Sequence, residues 1–344
     1  LAFITATEIS DTVTVTGDLQ VDAAVTEVVE GFIVKTGGSI TNSGGNSLTN
    51  TSIGGTVSIA EAGNTLSFSD SLILLSGSTL SLNDNDLDIT SLKQYGASIT
   101  ASTGELKINE SSPVTYVGTT ETFSIDNVTF SNTDSVTFSN SPINFTGDVV
   151  FDTDSTVFFG GAVTIKNGAT VSMTDDSVSS PVLVSDLFTY ENNTVLTYNI
   201  DDTTYVTGGE LGSNSNGPTK LVIDISGSTS DSLVFSSTVT VDSLVLTDGS
   251  FHPDSLTLAE DGYLLISKNE DNIHGVINVT DSYEIEFGSD NNLGDTLYVA
   301  GTEVSIKIGD GYTVDIAEAG DDVSQLHNLI LGTGSTFNVG GDTL

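Results

Sequence analysis

Residues 54–87 read GGTVSIAEAGNTLSFSDSLILLSGSTLSLNDNDL, and residues 311–344 read GYTVDIAEAGDDVSQLHNLILGTGSTFNVGGDTL. Aligned without gaps at an offset of 257, the two stretches match at 16 of 34 positions. Chance gives about two or three matches at average residue usage. Mismatches such as Leu80/Phe337 and Leu82/Val339 keep the apolar phase. The shared skeleton is strand, Ala-Glu-Ala-Gly turn, strand, Gly-Ser-Thr turn, strand. Self-similarity of this kind marks an architecture whose units bury their apolar faces by stacking on one another. Looser copies of the second half occur at Asn167–Val171 and Asp248–Phe251, while segments 1–53 and 258–310 do not align. The chain is therefore not a simple tandem duplication.

Outward from this repeat, the same texture covers the chain. Apolar residues alternate with Ser, Thr or Asp at Thr12–Thr16, Thr79–Leu82, Ser135–Ser139, Thr238–Val241, Ser255–Leu258, Glu284–Phe287 and Val304–Ile308. Period-two alternation rich in β-branched residues predicts strands with one buried face. Gly, Asn and Asp punctuate the runs every few residues, at Gly37-Gly38, Gly160-Gly161 and Asn167-Gly168 among others. Ala23–Val29 and Ser185–Glu191 have faint helical character. The prediction is an all-β chain forming a β-solenoid, a parallel β-helix of many short strands. The alternative is a string of Ig-like β-sandwich modules. Such modules would show linkers at roughly 100-residue intervals and a buried Trp anchor; here five prolines sit unevenly inside the strand pattern and Trp is absent.

This reading divides the chain into an N-terminal cap or assembly segment (1–36), a solenoid (37–184), an irregular insertion (185–219) and a second solenoid (220–344). The last runs to an uncapped C-terminal coil. Ala23–Gly31 is the candidate cap. The apolar alternates Val136, Phe138, Phe145, Val150, Leu221, Ile223, Ile225, Val239, Val241 and Leu264 are predicted to share one continuous core.

Composition narrows function. The 344 residues carry 47 Asp and Glu against 7 Lys and no Arg, a formal charge of −40. Such a chain repels phosphate backbones and anionic bilayers, which excludes nucleic acid and membrane-surface binding through basic patches. No apolar run approaches the roughly 20 residues of a spanning helix, so membrane insertion is not expected. With no Cys there is neither disulfide nor thiolate site, and the chain is indifferent to redox conditions. The three histidines, His252, His274 and His327, lie far apart without metal-ligand spacing and are predicted to be solvent-facing turn residues. No GxSxG elbow or phosphate-binding glycine loop is present. The chain is not expected to be an enzyme.

Ser131–Thr174 and Gly77–Thr90 resemble the passenger regions of secreted bacterial β-solenoid proteins: autotransporter passengers, filamentous haemagglutinin-like adhesins and large cell-surface repeat proteins. The resemblance implies a right-handed helix, extracellular or cell-surface display, and a structural or adhesive role with no site residue carried over. The expected function is a segment of a surface filament, sheath or stalk, assembled by head-to-tail self-association. The alternative is a carbohydrate-contacting β-helix, tail-spike-like or polysaccharide-active, and the expected ligand class is then a cell-surface molecule or carbohydrate.

No cofactor is required on this reading. Calcium is the one candidate, because flexible acidic turns supply the oxygens it needs. Asp84, Asp86 and Asp88 place carboxylates at alternate positions, and Asp152 and Asp154 repeat the spacing. None matches an EF-hand or calcium-roll motif. Six Asn-x-Ser/Thr sequons, at Asn50, Asn109, Asn127, Asn144, Asn192 and Asn278, permit glycosylation.

Overall fold

The structure is a computed structural model. It describes residues 51–59, 72–84, 86–89, 92–108, 121–139, 142–153, 155–174, 187–201, 204–212, 216–226, 232–236, 238–248, 256–266, 283–288, 304–315 and 326–338. It also describes the shorter pieces 2–3, 13–15, 19–21, 32–35, 38–42, 47–48, 65–68, 114–117, 182–184, 250–252, 277–279, 291–292 and 297–299. Residues 23–31, the candidate cap, lie outside the described set. Two compact units are present: 1–169 with 181–186, and 170–180 with 187–344.

The chain is a β-solenoid: short strands, paired in parallel throughout the described ladders, stack turn upon turn. Parallel pairing rules out the antiparallel sandwich modules. In the first unit each turn contributes one strand to each of three sheets. Leu72–Leu74 is followed by Thr79–Ser81 and Asp86–Ile89, and Leu92–Gln94 then starts the next turn by pairing with Leu72–Leu74. One of these sheets has nine strands, from Val13–Val15 to Val182–Val184. Because the ladders are in register, inward residues form columns. Leu80 lies between Val57 and Ile99, and Phe145 lies on Ile165.

Parallel sheets are usually covered on both faces. Here one face closes on the core and the other carries Ser, Thr and Asn, which is why three-residue strands read buried, half-buried, buried. The columns also align aromatic rings. Phe130 stacks on Phe151 with centroids 4.8 Å apart and planes 4° apart, and Phe138 stacks on Phe159 at 5.4 Å and 14°. The first separation equals the spacing of hydrogen-bonded strands.

Corners repeat as well. The Ser78 N–H donates to the Leu75 carbonyl (2.9 Å), Ala169 to Lys166 (2.9 Å) and Ser335 to Gly332 (3.2 Å). In each, the third residue is a glycine in the left-handed region: Gly77, Gly168 and Gly334 at φ of 69°, 82° and 77°. That position of the turn requires positive φ, which only glycine adopts without strain. The first and third corners are equivalent positions of the sequence repeat, and the second is its looser copy.

The second unit uses longer strands. Val195–Asp201, Lys220–Ser226, Val239–Asp248, Leu256–Ile266, Tyr283–Phe287, Val304–Ile308 and Leu326–Leu331 pair in sequence. Smaller sheets flank them, among them Thr204–Val206 with Ser232–Val234 and Ser250–His252. A 3-10 turn, Gly209–Leu211, is the one helical element among the described residues.

Nine of the ten predicted core residues are buried. Val150 is the exception. In Asp148–Phe151 the inward residues are Val149 and Phe151, and Val150 is half-buried on the outer face. Two adjacent valines leave the phase of alternation open, and the in-register pairs Val128↔Val149 and Phe130↔Phe151 fix it. His252 and His327 lie in strands Ser250–His252 and Leu326–Leu331 rather than in turns; His274 lies outside the described residues.

Candidate functional site

Three features were candidates for function: the acidic corners, a buried carboxylate and an uncovered rung. Of the acidic corner residues, Asp84 and Asp86 are engaged with the protein itself. Asp84 is exposed and accepts a hydrogen bond from the Thr103 hydroxyl at 3.0 Å. Asp86 pairs with Lys107 at 2.8 Å, and the same ammonium reaches Glu105 at 3.4 Å. The hydrogen bond to Asp86, with the two carboxylates' fields, outweighs partial desolvation and raises the Lys107 pKa. Asp88 pairs through its backbone with Lys107. Asp152 is exposed, and Asp154 lies outside the described residues. Asp86–Ile89 and Asp148–Phe151 are three rungs apart in one sheet, about 14 Å at ~4.8 Å per rung. One ion cannot join the two clusters. No group of three or more metal-ligating side chains occurs among the described residues.

Sequence reasoning missed Glu210. It sits on the 3-10 turn Gly209–Leu211, its side chain closed off from water. The Gly208 N–H donates to both carboxylate oxygens, at 2.8 and 2.9 Å. The Tyr198 and Tyr205 hydroxyls donate to Oε1, at 3.0 and 3.4 Å. Tyr190 donates to the Glu210 backbone carbonyl. Burial raises the Glu210 pKa, and these hydrogen bonds offset the rise in part. The signal was legible: Tyr190, Tyr198 and Tyr205 occupy the inward phase of consecutive strands. A buried tyrosine hydroxyl needs an acceptor. A surface groove for carbohydrate would cluster Tyr and carboxylates outward; this cluster points inward. An open polar cleft of about 230 Å³ lies beside it, between Tyr190–Asn192 and Asn216–Thr219.

The uncovered rung is Leu326–Leu331 with Thr336–Asn338. Leu329, Leu331 and Phe337 register with Ile306, Ile308 and Val314, all three buried. They continue the core columns, yet Leu331 is 48% exposed and Leu329 and Phe337 are only half-buried. On the outer face Ile330 is 55% exposed. Each of the two strands pairs on one side only among the described residues. An apolar layer and an open strand edge therefore coincide, a combination that invites pairing with another strand.

Comparison with known proteins finds no matching family model, no matching curated protein and no matching solved structure. What the fold defines is the class, a β-solenoid repeat protein.

Proposed function

We propose that this chain is a structural segment of an extracellular filament, sheath or stalk, extended by head-to-tail stacking of solenoid rungs. One observation carries the reading: the rung Leu326–Asn338 presents its core column uncovered. Its sequence counterpart in the first unit, Leu72–Ser81, is covered on both sides, by Thr51–Ile59 and Leu92–Thr100. A rung of the same kind fits this surface, whether it comes from a second copy of this chain or from sequence that continues the stack, and the assembly reading takes the second copy. Such a contact joins unlike surfaces and so propagates instead of closing. With −40 charges per copy, repulsion opposes association, so added sodium chloride should strengthen it by screening. The Cys-free, acidic composition suits extracellular placement and supports this part of the reading.

Sedimentation and negative-stain imaging test the proposal. Wild type should form linear particles that grow with concentration and salt, and Leu331→Asp or deletion of 333–344 should leave single particles. A wild-type chain that stays monomeric at high concentration and high salt would sink the filament reading.

A further inference from the structure

Glu210 is a fully buried carboxylate surrounded by tyrosine hydroxyls and apolar side chains, and stacking of the rungs does not require its charge. We infer that Glu210 and the tyrosines around it form a pH-dependent latch. It fastens the segment 204–212 to the core when the carboxyl carries its proton, and loosens when the carboxyl ionises.

The geometry supplies the fastening. The Gly208 N–H has its bonds to the Glu210 carboxylate, so the backbone at the start of the 3-10 turn is tied through this one side chain. Around it, Phe188 N–H donates to the Gly209 carbonyl (3.0 Å) and Thr207 N–H to Val234 (2.9 Å). Gly212 closes the turn at φ of 81°, where an added Cβ would meet the Asn216 and Phe188 carbonyls at 3.0 and 3.1 Å. Opening this segment therefore breaks these hydrogen bonds together with those to the carboxyl.

The groups facing Glu210 come from three strands: Tyr190 from Thr189–Tyr190, Tyr198 from Val195–Asp201 and Tyr205 from Thr204–Val206. All three phenols are pushed well above their ordinary range, first by burial and then by the Glu210 charge, so they stay neutral donors. Among the described residues, the groups that hydrogen-bond to the Glu210 carboxylate are Gly208, Tyr198 and Tyr205, none of them a cation. An ionised Glu210 is therefore a buried charge stabilised by hydrogen bonds alone, and burial outweighs them.

The sign follows. The closed segment holds the Glu210 proton more tightly than the opened one, where water restores the ordinary glutamate value. The latch has its full strength below that ordinary value, and loses it as pH rises through the raised folded value. Between the two, the opening constant increases by up to about tenfold per pH unit.

Hydrogen exchange on the full chain, corrected for intrinsic chemical exchange and read on peptides covering 204–212, tests this between pH 4.5 and 8 (a range of roughly the glutamate to neutral region). Wild type should lose protection with rising pH, and Glu210→Gln, which keeps the acceptor without the charge, should remove that slope. Peptides covering 143–165 report the effect of surface carboxylates and should be alike in both proteins. A wild-type slope that is absent, or that persists unchanged in Glu210→Gln, overturns the latch. Tyr198→Phe is the second variant should Glu210→Gln not fold. It deletes a donor that favours the ionised carboxylate, so the folded value rises further and the pH-dependent loss of protection should extend to higher pH; an unmoved profile overturns the inference equally.

Discussion

Leu72–Ser81 and Leu329–Asn338 are nearly one sequence in two situations. Both run Leu-Ile-Leu into a Gly-Ser-Thr corner, and both corners carry the same glycine conformation and the same turn hydrogen bond. Yet Leu74 is fully buried and Leu331 is about half exposed. The local chain sets the strand, the corner and the inward direction of the side chain. Burial is set by whether a further rung arrives. In a solenoid, core membership belongs to the stack and not to the residue.

The largest effect should separate these twins. Leu74→Asp places an unpaired charge in a closed core and should unfold the neighbouring turns, a loss above about 4 kcal/mol. Ile223→Asp, in an equally closed column of the second unit, should do the same. Leu331→Asp should leave the melting temperature of dilute protein within about 2 °C, since the side chain already meets water. Thermal unfolding checks all three, and equal losses at Leu74 and Leu331 would break the comparison.

Next in size is truncation without charge. Leu74→Ala should cost about 2–5 kcal/mol through lost burial and the residual cavity, and Leu331→Ala a good deal less than half of that. Denaturant midpoints at low protein concentration give the ratio.

The corners should behave alike where the leucines do not. An added Cβ meets nothing within 4 Å at Gly77 or at Gly334, so alanine at either costs only the left-handed backbone, about 1–2 kcal/mol. Gly96→Ala should cost more, because the Glu121 side chain lies over Gly96, 2.3 Å from the position of a Cβ, and accepts from the Ser76 hydroxyl. Unequal losses at Gly77 and Gly334 would show that the two corners are not the same structure.

The smallest effect lies on the outer face near the uncovered rung. Lys307 pairs with Glu286 at 2.8 Å, and the Tyr263 hydroxyl donates to the same carboxylate. The Lys307 hydrogen bond is the main reason the Glu286 pKa is lowered. A lowered carboxylate contributes stability above its unfolded value and loses it as pH falls through its folded value, opposite in sign to Glu210. Both groups are partly exposed, so Lys307→Met should cost under about 1 kcal/mol at neutral pH and almost nothing in acid. A loss that persists in acid would mean the lysine acts by packing.

Much of this was legible in the residues. Alternation over Ser135–Ser139 or Thr238–Val241 gives strand and inward face together, and the recurrence of Gly-Ser-Thr gives the corner. Val149-Val150 was not legible, because two adjacent apolar residues satisfy either phase and the neighbouring rung decides. Segment 185–219 reads as irregular, yet Val195–Asp201 there pairs over seven residues with Lys220–Ser226. Its inward tyrosines weaken the apolar signal, and their acceptor Glu210 lies beyond the next strand. The acidic turns raised calcium on spacing alone, which is blind to a lysine arriving one rung later: Lys107 reaches Asp86 across 21 positions of sequence.

That interval has a kinetic side. Leu72 meets Leu92, Ile143 meets Val163, and Ile285 meets Ile306, so strand partners stay about one turn apart however long the chain becomes. Closing each turn costs the entropy of one loop of roughly 20 residues, and that cost does not grow with chain length. Folding can then advance as a front, each completed turn templating the next, and its rate is set by a single step and not by the size of the whole.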